Sequence, residues 1–551
     1  MDWLLDSGVL LAYFTVVIGI GLYKGRGDKT MEGFAVGNRN IPWWAVLASI
    51  LAAETSAATF LGAPEEGYAS RNFTYAQLVL GTLLGRVIVA LVFIEPYYNF
   101  RVVSIYEFLQ ARFGTSTKNA ASLTFLITRA LASGTRLYVG AVVLVLAYEM
   151  ISGVALAPLQ QVWIYVGALV FLTVATAIYT ALGGIKAVVW TDVIQVALMF
   201  GSLAFAFWSL LRAIPGGWQG ATALLNAPTD LIIFSSGSEP NSSFLQNVRN
   251  VLGTEYSIWA AFFGATFITM ATHGTDQDIV QRMLTAKNAA RSRLALILSG
   301  LADFPVVLCF LSIGILLWAF YQKEGMSHPF AYYILHEMPS GVRGLMIAGV
   351  LATAMGSLSA ALNALATSFA QDWYLPYIRP QATPQHVVAA ARKSTVVFSV
   401  ILVLIGSVTA YAVIVLHSRV IPIVIGIFGY TYGSLLGVFL VGMLTKTRGS
   451  DRGNLVGMAC GFAVVAILSG LHNDIWNLLH PLDPDLMSWV SSHPNGPAFQ
   501  HWRWDWLPTI DFTWRITAGS SVTAAVALVF RTPPVRVGGV PPRRRDRWQR
   551  S

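Results

Sequence analysis

Residues 48–64 read ASILAAETSAATFLGAP, and how this stretch is interpreted decides the fold. It is apolar enough to sit in a lipid core, yet Glu54, Thr55, Ser56 and Thr59 interrupt it halfway. A carboxylate in mid-span is costly and normally faces a cavity, a partner or an ion. Residues 267–282, FITMATHGTDQDIVQR, carry a similar interruption with Thr269, Thr272, His273, Gly274, Thr275 and Asp276. Paired polar interruptions in corresponding positions of two halves point to broken helices at the bilayer midplane, as in inverted-repeat transporters. Carbonyls freed at such breaks can replace a cation's water shell, and half-helix N-termini favour anionic groups. Ser and Thr also bond back to their own helix or join neighbouring helices, so a single Thr says less here than Glu54 does.

Working outward, 55% of the 551 residues are hydrophobic and 11% are charged, against roughly 25% charged in a soluble domain. Apolar runs of about 20 residues, enough to cross a hydrocarbon core of roughly 30 Å, recur throughout. The predicted spans lie near 7–23, 42–68, 74–98, 119–149, 160–182, 188–211, 256–280, 293–321, 344–370, 394–416, 420–444, 453–471 and 511–530. The expected fold is therefore an all-α polytopic membrane protein of about thirteen transmembrane helices, one transmembrane domain over 1–530 followed by a basic tail, 531–551. Alternate loops are basic and, with that tail, hold 25 of the 36 Lys and Arg. The positive-inside rule then predicts a plasma-membrane protein with its N-terminus outside and its C-terminus cytoplasmic. The formal charge of +9 thus belongs to topology, and no nucleic-acid partner is expected.

Cys309 and Cys460 both lie in apolar runs, which offers neither a disulfide framework nor a paired metal motif. The first apolar run lacks a positive leading region and reads as a retained helix. No HExxH, GxSxG or Cys/His cluster argues for an enzyme. The tail VRVGGVPPRRRDRWQRS reads as a solvated, topology-fixing segment, with binding to anionic lipid headgroups as the alternative. Oligomeric state is not legible, because lipid-facing and interface surfaces look alike in one sequence.

Along most of its length the chain resembles the sodium/solute symporter family. The strings that carry the resemblance are FAVGNRNIPWWAVLASILAAETS, SIYEFLQARFG, TALGGIKAVVWTDVIQ, DQDIVQRMLTAKN, GSLSAALNALATSFAQDWY and GYTYGSLLGVFLVGMLTKTRG, in that order. The resemblance implies a leucine-transporter-like fold of two inverted five-helix repeats, about 42–211 and 256–444, with flanking helices. It implies sodium as coupling ion, with no other cofactor, and symport of a small polar solute by alternating access. Sodium ligands are implied at Ala52, Thr55, Thr353 and Ser357. The sequence departs from the family where two adjacent hydroxyl residues often stand, having Gly356 before Ser357; this removes one ligand and leaves a weaker site, a water, or compensation by Glu54. A second sodium, as in some members, would use Asp192 and Ser359, although the neighbouring hydroxyl position is Ala360. Alternatively, Asp192 pairs with Lys186, Arg129 or another intramembrane base.

The expected substrate-binding residues are Glu54, Ser56, Thr59, Gln77, Thr269, Thr272 and His273. Most of the set that sugar-transporting members use is missing. Glu54 followed by Ser56 resembles the sodium/proline symporter, so an amino acid or small carboxylate is favoured over a sugar. Two rivals keep the fold: proton coupling through Glu54, His273 or Asp276, and a membrane sensor.

Overall fold

The computed structural model describes residues 3–25, 29–153, 156–415, 420–469, 471 and 510–533. Most of the predicted loop at 472–510 and most of the basic tail lie outside them. Within these residues the chain is helical, with isolated bridges at Ile41–Ala286 and Arg448–Arg531 in place of a sheet. The principal helices are α1 (Trp3–Lys24), α2 (Trp43–Glu54), α3 (Ala57–Ser70), α4 (Leu78–Val92), α5 (Thr115–Ser152), α6 (Pro158–Ala213) and α7 (Thr266–Gly274). They continue as α8 (Gln277–Met283), α9 (Ala289–Tyr321), α10 (Val342–Ser368), α11 (Pro384–Ile414), α12 (Val420–Leu444), α13 (Asp451–Ser469) and α14 (Phe512–Val529). Each predicted span overlaps at least one of these helices.

Among the described residues nine helices are long and apolar enough to cross a membrane, or ten if the bent pair α2 and α3 forms one span. Three features separate this count from thirteen, the simplest being that α14 is not among these ten. The 56 residues of α6 would run about 84 Å if straight, far beyond a core of roughly 30 Å. The helix is interrupted at Gly184 (φ 57°, ψ −154°), a conformation that side chains other than glycine's resist, and an added Cβ there would meet the Phe34 carbonyl oxygen at 2.6 Å. The predicted spans 160–182 and 188–211 are the two sides of this turn. The seventh predicted span is split between a wide turn at Ala260–Ala265, α7 and α8, each too short to cross alone.

At the centre stands α10, packed against α1, α2, α5 and α6. From Arg343 to Ser368 only Leu345 and Ser357 escape full burial. One apolar cluster joins residues of α3, α5, α6, α9 and α10, and a second joins those of α2, α4, α8 and α12. The basic loops gather on one face: Arg39 donates to the carbonyls of Val102 (2.9 Å) and Leu284 (3.5 Å), and Arg112 to those of Thr445 (3.0 Å) and Arg448 (3.2 Å). At the opposite face Asp6 pairs with Arg343 at 2.5 Å, and Arg71 pairs with Asp230 (3.3 Å) and Glu324 (2.6 Å).

Candidate functional site

Two helix breaks organise the interior. Between α2 and α3 the chain bends by 66° through Thr55 (φ −81°, ψ 87°), and Ser56 caps α3 by accepting from the Thr59 amide at 3.4 Å. The Ser56 N–H, which in a continuous helix would serve the Ala52 carbonyl, bonds the Glu54 carbonyl at 3.0 Å instead. The Ala52 oxygen therefore loses its helical partner, and it faces Gly356 of α10: a Cβ added to Gly356 would lie 3.2 Å from it. The second break falls at Thr275 and Asp276, where the Asp276 carboxylate caps α8 by accepting from the Asp278 amide at 2.9 Å.

Charges cluster at both breaks. Glu54 pairs through one carboxylate oxygen with Arg86 at 2.6 Å and through the other with His273. Arg86 also holds Asp303 of α9 at 2.6 Å, and the other His273 nitrogen meets the Thr272 hydroxyl at 2.9 Å. At the second break Asp276 is held by Arg129 and by the Tyr432 hydroxyl (2.5 Å), and Arg129 reaches Asp278 at 3.2 Å. Arg282 bridges Asp278 (2.7 Å) and Asp192 (3.4 Å), while the Ser49 hydroxyl donates to Asp192 at 2.5 Å. This second network sets two arginines against three carboxylates, and one oxygen of Asp192 has no hydrogen-bond partner.

Two cavities adjoin the breaks. One, of about 260 Å³, is lined by Glu54, Thr272, His273, Asp278 and both Arg129 and Arg136. The other, of about 360 Å³, is lined by Ser56, Thr59, Glu65, Glu66, Tyr75 and His328, and again by Arg136. Arg136 and Phe428 border both, with the guanidinium 5.0 Å from the centre of the Phe428 ring. Among the described residues Arg136 has no carboxylate within ion-pair distance. A third cavity of about 10 Å³, close to the volume that one water-sized sphere needs, is lined by Ala53, Ala354 and Ser357 beside the same two arginines.

The predicted residues separate into groups. Glu54, Thr272 and His273 share the first cavity, and Ser56 and Thr59 the second. Ala52, Thr55, Thr353 and Ser357 lie where the first break faces α10, and both α10 hydroxyls donate to carbonyls one turn back (2.6 and 3.1 Å). Asp192 is buried beside Arg282, and Ser359 donates to the Gly356 carbonyl at 3.0 Å. Two of the predicted substrate residues line neither large cavity. Gln77 bonds the Tyr256 carbonyl (2.9 Å) and the Ser235 amide (3.3 Å), and Thr269 packs against Gly85 of α4. Arg86, Asp303 and Arg136 were not predicted as site residues. Arg136 had a usable signal, since no acid stands on its helix between residues 115 and 148.

A membrane chain whose described residues are helical, with paired broken helices, polar cavities at the breaks and buried charges around them, has the make-up of a transporter. More narrowly, residues 34–461 match the Sodium:solute symporter family, and the chain belongs to that family of sodium-coupled secondary transporters. It is 25% identical to the sodium/sialic acid symporter SiaT of Proteus mirabilis (strain HI4320), over 86% of this chain and 90% of that protein. It is 27% identical to the human sodium-coupled monocarboxylate transporter 1, over 84% of this chain and 72% of that one. A solved structure of a Na+-coupled sialic acid symporter, in its substrate-bound outward-open state, superposes with a TM-score of 0.74 at 22% identity, covering 95% and 97% of the two chains. That likeness establishes the shared fold.

Proposed function

We propose that this symporter imports a small organic anion, a carboxylate, together with sodium. The observation that carries this reading is Arg136, a guanidinium presented to two cavities with no carboxylate within ion-pair distance among the described residues. An uncompensated arginine in a membrane interior is costly unless a counter-ion reaches it, and its planar fork suits a carboxylate. Cavities of 260 and 360 Å³ are of the size that takes small molecules. Relatives named for sialic acid and for monocarboxylates support the same class.

In this reading ten of thirteen spans form two inverted five-helix repeats, 42–211 and 256–444, flanked by the other three, with the N-terminus outside and the basic face cytoplasmic. Sodium sits between the first break and α10, on the carbonyls of Ala52 and Thr55 with Thr353 and Ser357, and steadies the outward-facing state. The unpaired Asp192 oxygen, in a network short of one positive charge, supports a second sodium there with Ser359. Thr272 and Thr59 line the solute's path, while Glu54 and His273 hold each other at its edge. A single sodium carried with one carboxylate moves no net charge, so the membrane potential drives the cycle only when the second sodium travels too; the one net charge then crossing roughly 100 mV supplies about 2.3 kcal/mol, enough to accumulate solute about 40-fold before the sodium gradient is added.

The test is uptake into proteoliposomes of labelled acetate, pyruvate, sialic acid, proline and galactose, with and without an inward sodium gradient. Sodium-driven accumulation of an acid is expected, with at least about a tenfold loss in Arg136→Gln. Accumulation of galactose that Arg136→Gln leaves intact would refute the anion assignment. The Glu54–His273 pair favours one second reading, proton coupling, and uptake driven by a pH gradient without sodium would select it.

A further inference from the structure

Across from the freed Ala52 carbonyl, the helix α10 lacks a side chain at Gly356. The gap is bounded by a third element. The point at which a Gly356 Cβ would stand lies 3.2 Å from the Ala52 oxygen and equally 3.2 Å from Oε1 of Gln195, on α6. Gln195 is 1% exposed, and neither its Oε1 nor its Nε2 makes a hydrogen bond. The Tyr13 and Tyr179 hydroxyls stand close enough to interact with it, without the geometry of a formed hydrogen bond. A buried amide without a well-formed hydrogen bond costs about 1–3 kcal/mol, and native interiors hold few of them. Gln195 follows Asp192 by one helical turn, so both project from the same side of α6. The amide oxygen is a hard, neutral donor of the kind that suits a small alkali cation.

We propose that Gln195 Oε1 completes the sodium site between α2 and α10, taking the place of the hydroxyl that Gly356 cannot supply. The proposal rests on the sodium-coupled reading above and extends it, because a bound ion then ties α6 to α2 and α10. The site is neither weakened nor filled by Glu54, whose two carboxylate oxygens are held by Arg86 and His273. The ligand has moved from one helix to another.

The experiment is equilibrium binding of radioactive sodium to the purified full-length protein in detergent without solute. Gln195→Met keeps the bulk of the side chain and removes the amide; sodium binding should weaken about tenfold, equivalent to about 1.4 kcal/mol. Gly356→Ser combined with Gln195→Ala returns a hydroxyl to a space no longer crowded by the amide, and should recover binding to within about threefold of wild type. Wild-type affinity in Gln195→Met, with binding lost in Ser357→Ala, would overturn the role of Gln195 and leave the sodium site standing. No sodium binding by the wild type would overturn both. Should Gln195→Met fail to fold, Gln195→Glu decides: it keeps an oxygen and adds charge, so binding at least as tight as wild type supports the proposal and weaker binding refutes it.

Discussion

The two helix breaks serve opposite ends. At the first, the backbone is the exposed chemistry: a carbonyl has lost its helical partner, a glycine faces it, and the nearby charges stand partly in a cavity, with Glu54 and Asp303 side chains 17% and 21% exposed. At the second, five charged side chains, Asp192, Asp276, Asp278, Arg129 and Arg282, lock helices together and none is more than 7% exposed. In the proposed reading the first break is the one open to cargo, and the second works mainly as a fastening. A charge pair in a cavity keeps some water when a partner is removed, whereas a fully buried pair does not.

That contrast is open to direct attack. The largest effect is expected from Arg282→Ala, which strands the buried Asp192 carboxylate and leaves Asp278 with Arg129 alone. About 3–5 kcal/mol of stability should be lost, read as a lower melting temperature of the detergent-purified protein. Arg86→Met should cost less, about 1–3 kcal/mol, because Glu54 lines a cavity and keeps His273, and the Asp303 side chain is 21% exposed. Equal melting temperatures for the two variants, or the reverse order, would remove the distinction between the breaks.

The smallest effect concerns His328, whose ring lies 3.6 Å from Glu65, on the helix that leaves the first break. Its hydrogen bond with Glu65 is the main cause that lifts the imidazole pKa above the ordinary value. Stabilisation from the pair is therefore complete below about pH 6.5 and is lost as pH rises through the raised folded-state value. With side chains 44% and 40% exposed, solvent screening limits it to about 0.2–1 kcal/mol. Melting measured near pH 6 and near pH 8.5 should differ by slightly less in His328→Gln than in the wild type; an unchanged difference would show that the pair contributes nothing.

Much of this architecture could be read in advance because bilayer thickness imposes a length on each apolar run. The interruptions at Glu54 to Ser56 and at Thr275 to Asp276 were visible as polar residues where lipid permits few. What escaped was whatever depends on partners distant in sequence. Arg86 and Asp303 sit on different helices, and nothing local links them. Gln195 looked like any amide on a long helix until α10 placed Gly356 beside it. Gln77 and Thr269 had a polar residue's appearance but line neither large cavity, since one is tied to loop backbone and the other is packed against a glycine.

The glycine turn in α6 has a practical consequence for protein engineering. Gly25 and Gly183 meet there backbone to backbone, so closely that a Cβ on Gly25 would fall 2.1 Å from the Gly183 Cα, and the Phe34 carbonyl closes over Gly184. An epitope or fluorophore inserted between these spans has no room. Glu239, Pro240 and Asn241, by contrast, lie on an exposed connection at the opposite face, where a reporter peptide would be displayed without displacing a helix.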